Sequence, residues 1–161
     1  MIKKMFKTIA VILPLLMVLG TSVVQAEEQG MMVERASPLG FEETIVKLIE
    51  NAKALGWKVP KKWKKNFQKN LKRVTKVDIG RNLVIEMCEP HAAVELLVHD
   101  EYKKFLSMMP CAVAVYEKSD GKVYLSMMNI QLMGQMYKDK KEVQALVTKL
   151  GPQMEKMLIM Q

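Results

Sequence analysis

The chain of 161 residues carries two cysteines and two histidines. Cys88 and His91 flank Glu89-Pro90 in EMCEPHAAVELL, and Cys111 opens CAVAVYEK. Thiolate and neutral imidazole are ligands for soft and borderline metals, and imidazole is also an axial ligand of haem iron. Pro90 suits the first position of a helix. That places His91 in the first turn, where the positive end of the helix dipole favours the neutral ring. His91 and Cys88 are the candidate metal ligands. His91, Cys88 and Cys111 are the candidate cofactor-binding residues, and haem b or copper are the cofactors that suit them. The spacing limits other chemistry. Cys-x-x-His is half of a zinc-type pattern, and no second half follows at suitable spacing. It is not the Cys-x-x-Cys-His of c-type haem attachment, nor the Cys-x-x-Cys of thiol exchange. Three readings of the thiols stand side by side: a disulfide, a soft-ligand site completed by His91, or two buried, inert thiols. The plain alternative for His91 is a partly exposed first-turn residue. His99 can share its helix face but reads more simply as a surface residue near the helix end.

No Ser-His-Asp arrangement, Gly-rich phosphate loop or paired-carboxylate motif is present, so a binding protein is expected rather than an enzyme. Methionine is frequent, with 15 in the chain and doublets at Met31-Met32, Met108-Met109 and Met127-Met128. Thioethers fill irregular cores and are also soft ligands that suit Cu(I). The first function reading is therefore a non-enzymatic binding protein for haem or a soft metal ion at the Cys/His corner.

A second reading comes from charge. Between Lys58 and Lys76 the sequence has nine Lys or Arg residues and no acid. Pro60 can open a helix, and Trp63, Phe67, Leu71 and Val74 recur at helical spacing as one apolar stripe. Lys61, Lys62, Lys64, Lys65, Lys69, Lys72 and Arg73 are the candidate interaction residues. Their partner would be an anionic membrane surface or an acidic protein, while nucleic acid suits an exported protein poorly. The bland expectation is a solvated lysine face over a stripe packed on the core.

The elements that must position these residues follow a leader. Lys3, Lys4 and Lys7 precede the apolar run IAVILPLLMVLG, and Val24 and Ala26 are small residues at cleavage positions, the layout of a secretory signal peptide over 1–26. Cleavage near Ala26 would leave a periplasmic or secreted domain of residues 27–161, its net charge falling from +8 to +5 with the loss of the three leader lysines. Within it, MMVERA reads as a strand, and a helix starts at Ser37-Pro38 and stops at Gly56. WKVP reads as a brief strand, followed by the basic helix. NLVIEMC is strand-like, and a helix opens at Pro90. CAVAVYEK and KVYLSMMNI flank the turn SDG as a hairpin. A closing helix over 138–160 carries a potential break at Gly151-Pro152. This order predicts a small single α+β domain with a mixed or antiparallel sheet and helices packed on one face.

The segments SPLGFEETIVKLIENAKALGW, CEPHAAVELL and PCAVAVYE together resemble the bacterial domain of unknown function 302 family. Cys88, Pro90, Ala93 and Leu97 match its Cys-Asn-Pro corner and following helix, with Glu89 where Asn is usual. Pro110, Cys111, Val113, Val115 and Tyr116 match its second cysteine motif, and MMNIQLMGQMY is similar to a segment of exported members. The resemblance, over roughly 31 to 160, implies a compact α+β domain that forms homodimers, and implies no activity. It also pairs the two cysteine motifs, which implies that their strands are antiparallel neighbours with the thiols close together. The usual parallel outcome of a strand-helix-strand crossover would separate them.

Overall fold

A computed structural model describes residues 30–161; the expected leader over 1–26 and its cleavage position lie outside the described residues. The strands are β1 (Met32–Ser37), β2 (Lys64–Asn66), β3 (Asn82–Met87), β4 (Cys111–Glu117) and β5 (Val123–Met128). They form one sheet in the order β1-β5-β4-β3-β2, antiparallel throughout. The helices are α1 (Phe41–Ala54), α2 (Phe67–Thr75), α3 (Pro90–Leu97), α4 (Ile130–Met136) and α5 (Lys141–Met157). The expected α+β architecture is the one observed, with the sheet resolved as antiparallel.

Period-two alternation decides which face of the sheet is covered. Ile85 and Met87 of β3, Val113 and Val115 of β4, and Val123, Leu125 and Met127 of β5 are buried. They belong to one core with Phe41, Ile45 and Leu48 of α1 and Val143, Leu146 and Leu150 of α5. The intervening residues, among them Ala112, Ala114, Tyr116, Tyr124 and Ser126, are half-buried or exposed. There Tyr116 and Tyr124 stack across strands at 6.1 Å between ring centroids. The SDG turn closes the β4–β5 hairpin through Gly121, whose φ of 74° suits a residue without a Cβ.

Four local expectations need correction. WKVP contributes one antiparallel bridge, Lys58 with Cys88, rather than a strand. The basic helix starts later than Pro60: Lys61–Trp63 is a short 3-10 turn and Lys64–Asn66 pairs with β3 as an edge strand. Asn66 sets the later start, because its side chain accepts from the Lys69 amide at 2.8 Å as an N-cap. The apolar stripe is not packed on the core, since no residue of α2 is buried. Finally, α5 runs unbroken through Pro152.

Helix α4 went unforeseen in the run after β5. Asn129 caps it by accepting from the Gln131 amide at 3.1 Å, while its own Nδ2 donates to the Gly30 carbonyl at 3.2 Å. Its contact with α5 is close. A Cβ added at Gly151 would sit 2.6 Å from Gln131 Nε2, and one at Gly134 would sit 3.2 Å from a Val147 methyl. Two polar ties hold the α1 end of the layer to the C-terminal chain. Asn51 Nδ2 donates to the Ile159 carbonyl at 2.7 Å, and Trp57 Nε1 donates to Gln153 Oε1 at 2.8 Å.

Candidate functional site

The segment between β3 and β4 builds the site. Pro90 and Glu89 start α3 in the expected place, with Glu89 as N-cap accepting from the Ala92 amide at 2.5 Å and the His91 amide at 3.4 Å. Glu89 therefore performs the capping that Asn would perform. After Leu97 the chain makes a 3-10 segment, Asp100–Met108, which packs against α3. Tyr102 and Phe105 are the buried anchors of that segment. The excursion thus doubles back on itself and delivers β4 to the end of β3 it left. The Met109–Pro110 peptide is cis.

The β3–β4 register sets Met87 opposite Cys111. Cys88, one residue past Met87, is therefore a neighbour of Cys111, as expected for antiparallel strands. Its backbone is pinned from the other side, where its carbonyl accepts from the Lys58 amide at 2.8 Å and its amide donates to the Lys58 carbonyl at 3.1 Å. Both cysteines are free thiols, half-buried. Both line one small, mostly apolar cavity of about 50 Å³, together with Met108, Met109, Met128 and Met133.

Burial raises both thiols. Desolvation, helped by the neighbouring Cys88, pushes Cys111 up to about 11. Desolvation and then the Glu89 carboxylate push Cys88 up. At neutral pH both are protonated, which removes the thiolate needed for nucleophilic or exchange chemistry. A soft cation can still displace the protons, because the same cavity offers thiol and thioether sulfur together.

His91 does not share the cavity. Its side chain is exposed and is not among the groups lining it, so the structure joins Cys88 with Cys111 and leaves His91 outside. His99 is also exposed, and its ring meets Tyr102 edge-on at 5.9 Å between centroids. Among the described residues, no three His, Cys, Asp or Glu side chains group so as to hold a metal. Methionine is the donor type that the Cys/His pattern did not assign to the site. The doublet at Met108-Met109, directly before Pro110-Cys111, was its visible signal.

A wider groove of about 500 Å³ adjoins this cavity and shares Phe105, Met108, Met128 and Met133 with it. Met31 and Met136, both 71% exposed, stand at its rim, and Lys104 supplies a cation there. The groove therefore carries thioethers from the surface to the thiols.

The lysines of the second reading lie elsewhere. Lys61, Lys62, Lys64, Lys65, Lys69, Lys72 and Arg73 are all exposed, on the 3-10 turn, β2 and α2. Lys65 pairs with Glu86, and Lys72 pairs with Asp78 at 2.7 Å.

The fold is matched by known proteins. The family model for Domain of unknown function DUF302 matches residues 33–160. The chain belongs to the DUF302 family. A solved structure described as an uncharacterized conserved protein DUF302 from Bacillus stearothermophilus is similar, with a TM-score of 0.67 at 20% identity. The match covers 80% of this chain and 95% of that one, and it shows a shared fold. No curated protein matches the chain. Membership of DUF302 carries no activity with it, so function has to be argued from the site.

Proposed function

We propose that this DUF302 protein is a periplasmic, non-enzymatic binding protein for a soft monovalent metal ion, copper(I). Cys88 and Cys111 would be its thiol ligands, with thioethers from Met108, Met109 or Met128 completing the sulfur set. The observation that carries the reading is the convergence of two thiols from adjacent antiparallel strands on one cavity fringed by methionine. The size of that cavity favours an ion over haem. About 50 Å³ suits an ion, whereas pockets for organic ligands run to roughly 300–1,000 Å³. Two thiols completed by thioethers favour Cu(I) over zinc, whose sulfur sites are built from thiolates in fours or with imidazole, and over divalent copper, which prefers imidazole and oxygen. The leader-like sequence supplies the compartment.

The test is an anaerobic titration of residues 27–161 with Cu(I) against a coloured Cu(I) chelator. The protein is expected to withdraw one equivalent. The Cys88→Ser/Cys111→Ser variant is expected to withdraw none, and His91→Ala to behave as wild type. If the chelator keeps all the copper, or the double serine variant competes as well as wild type, the thiol site is wrong. A loss of binding in His91→Ala would instead move the site to the Cys88–His91 corner. A Soret band on addition of haemin, absent in His91→Ala, would restore the haem reading.

A further inference from the structure

Helix α2 has no buried residue. Phe67, Leu71 and Val74 recur at i, i+4 and i+7, so they share one stripe of the helix. They are 41%, 39% and 72% exposed, and Val77 and Ile79, just beyond the helix, are 59% and 44% exposed. An amphipathic helix that served only its own domain would bury such a stripe. Here five large apolar side chains within thirteen residues face water.

The surroundings of the stripe are of one charge. Lys58 to Lys76 holds nine cations and no acid. Asp78, the first acid that follows, is already engaged: Oδ2 accepts from Lys72 Nζ at 2.7 Å and Oδ1 from Gln68 Nε2 at 2.9 Å. Those two bonds tie the turn bearing Val77 and Ile79 to the flank of the helix. Among the described residues, only Lys65 and Lys72 of this stretch make ion pairs. Helix, turn and preceding edge strand thus present apolar groups inside a field of unneutralised cations.

We infer that α2 and the turn after it form a docking surface for an anionic lipid bilayer. The apolar stripe enters the boundary between headgroups and acyl chains, and the lysines and Arg73 meet lipid phosphates, their stems long enough to snorkel. An acidic polypeptide or a nucleic acid would neutralise the cations but leave the stripe wet, so charge and apolar exposure together select the lipid surface. The surface shares no residue with the thiol cavity and stands whether or not copper binds there.

The test is flotation of residues 27–161 with phosphatidylcholine vesicles, with and without phosphatidylglycerol. Binding is expected only with the anionic lipid and should fall as salt rises. Leu71→Ser and Val74→Ser should each weaken it roughly tenfold, and Lys69→Gln and Arg73→Gln each about fivefold. All four positions are exposed, so circular dichroism and melting should match wild type. A Phe67→Trp variant should blue-shift its fluorescence on anionic vesicles. The inference is overturned if no phosphatidylglycerol-dependent binding occurs at low salt, or if the serine variants bind as wild type does. It is also overturned if polyglutamate binds as tightly as the vesicles. A wild-type dimer that Leu71→Ser dissociates would assign the stripe to a second copy of the chain and overturn it too.

Discussion

Cys111 is where burial has its clearest chemical consequence. Its thiol is held at about 11 against an ordinary 9, so the folded chain keeps a proton that the unfolded chain releases. Between those two values the native state binds more protons than the unfolded state, and stability falls as pH rises. Below pH 9 the contribution is fully present; above 11 it is gone. Two units correspond to about 2–3 kcal/mol. Chemical denaturation from pH 8 to 11 should show this loss in wild type. It should show a shallower loss in Cys111→Ser, whose hydroxyl does not titrate there. The same protonation bears on metal capture. On the proposed copper reading, Cu(I) would displace thiol protons, so its apparent affinity should climb with pH across the neutral range, by up to about tenfold per unit for each proton released. Isothermal titration in buffers of different ionisation enthalpy would count those protons, and a count of zero would exclude thiolate ligation.

At the scale of elements, α3 depends on its cap. Glu89 accepts from two first-turn amides and also lies 4.0 Å from Lys149 Nζ of α5. Glu89→Ala should cost about 1 kcal/mol in urea unfolding. Glu89→Asn should recover most of that, because the short amide can cap in the same way. Both variants remove a negative charge beside Cys88 and should lower that thiol, which thiol-reactivity profiles against pH would register. The Trp57–Gln153 bond is a second inter-element tie, from the loop after α1 to α5. Trp57 is 2% exposed, so Trp57→Phe leaves the Gln153 oxygen without its donor. A loss of about 1 kcal/mol is expected, measured as a shift of the denaturation midpoint at constant slope.

For the whole molecule, the sheet has one covered face, and its central strands carry most of the burial. Leu125 of β5 is fully buried among α1, α5 and the neighbouring strands. Leu125→Ala should therefore cost about 2–5 kcal/mol, an appreciable part of the stability of a domain this size. The copper reading makes a global prediction as well. An ion bound only by the native state raises stability with its free concentration, by about 2.7 kcal/mol at a hundredfold excess over Kd. The melting temperature of wild type should rise with Cu(I) under anaerobic conditions, and that of the double serine variant should not. Among the described residues no helix is long and apolar enough to cross a membrane.

Local chemistry was enough to reveal most elements from the sequence. Pro90 announced α3, SDG the β4–β5 hairpin and Gly56 the end of α1, because turn residues act over a few positions; α1 itself starts at Phe41, after the Ser37-Pro38 signal. The cysteine motifs were legible through the family resemblance, which also implied their antiparallel pairing. Tertiary structure decided what local signals leave open. Trp63, Phe67, Leu71 and Val74 have the spacing of a packed stripe, yet whether a stripe meets a core depends on where the helix is carried; the edge strand Lys64–Asn66 carries α2 away from it. His91 was placed in its turn by sequence, but the face of α3 that meets the core is the one carrying Ala92 and Leu96, and His91 faces solvent. Cys88, the Met108-Met109 doublet beside Cys111, and Met128 come from three separate parts of the chain and meet only because β4 lies between β3 and β5. Long-range pairing brings distant residues together, and no pattern of neighbouring residues encodes it.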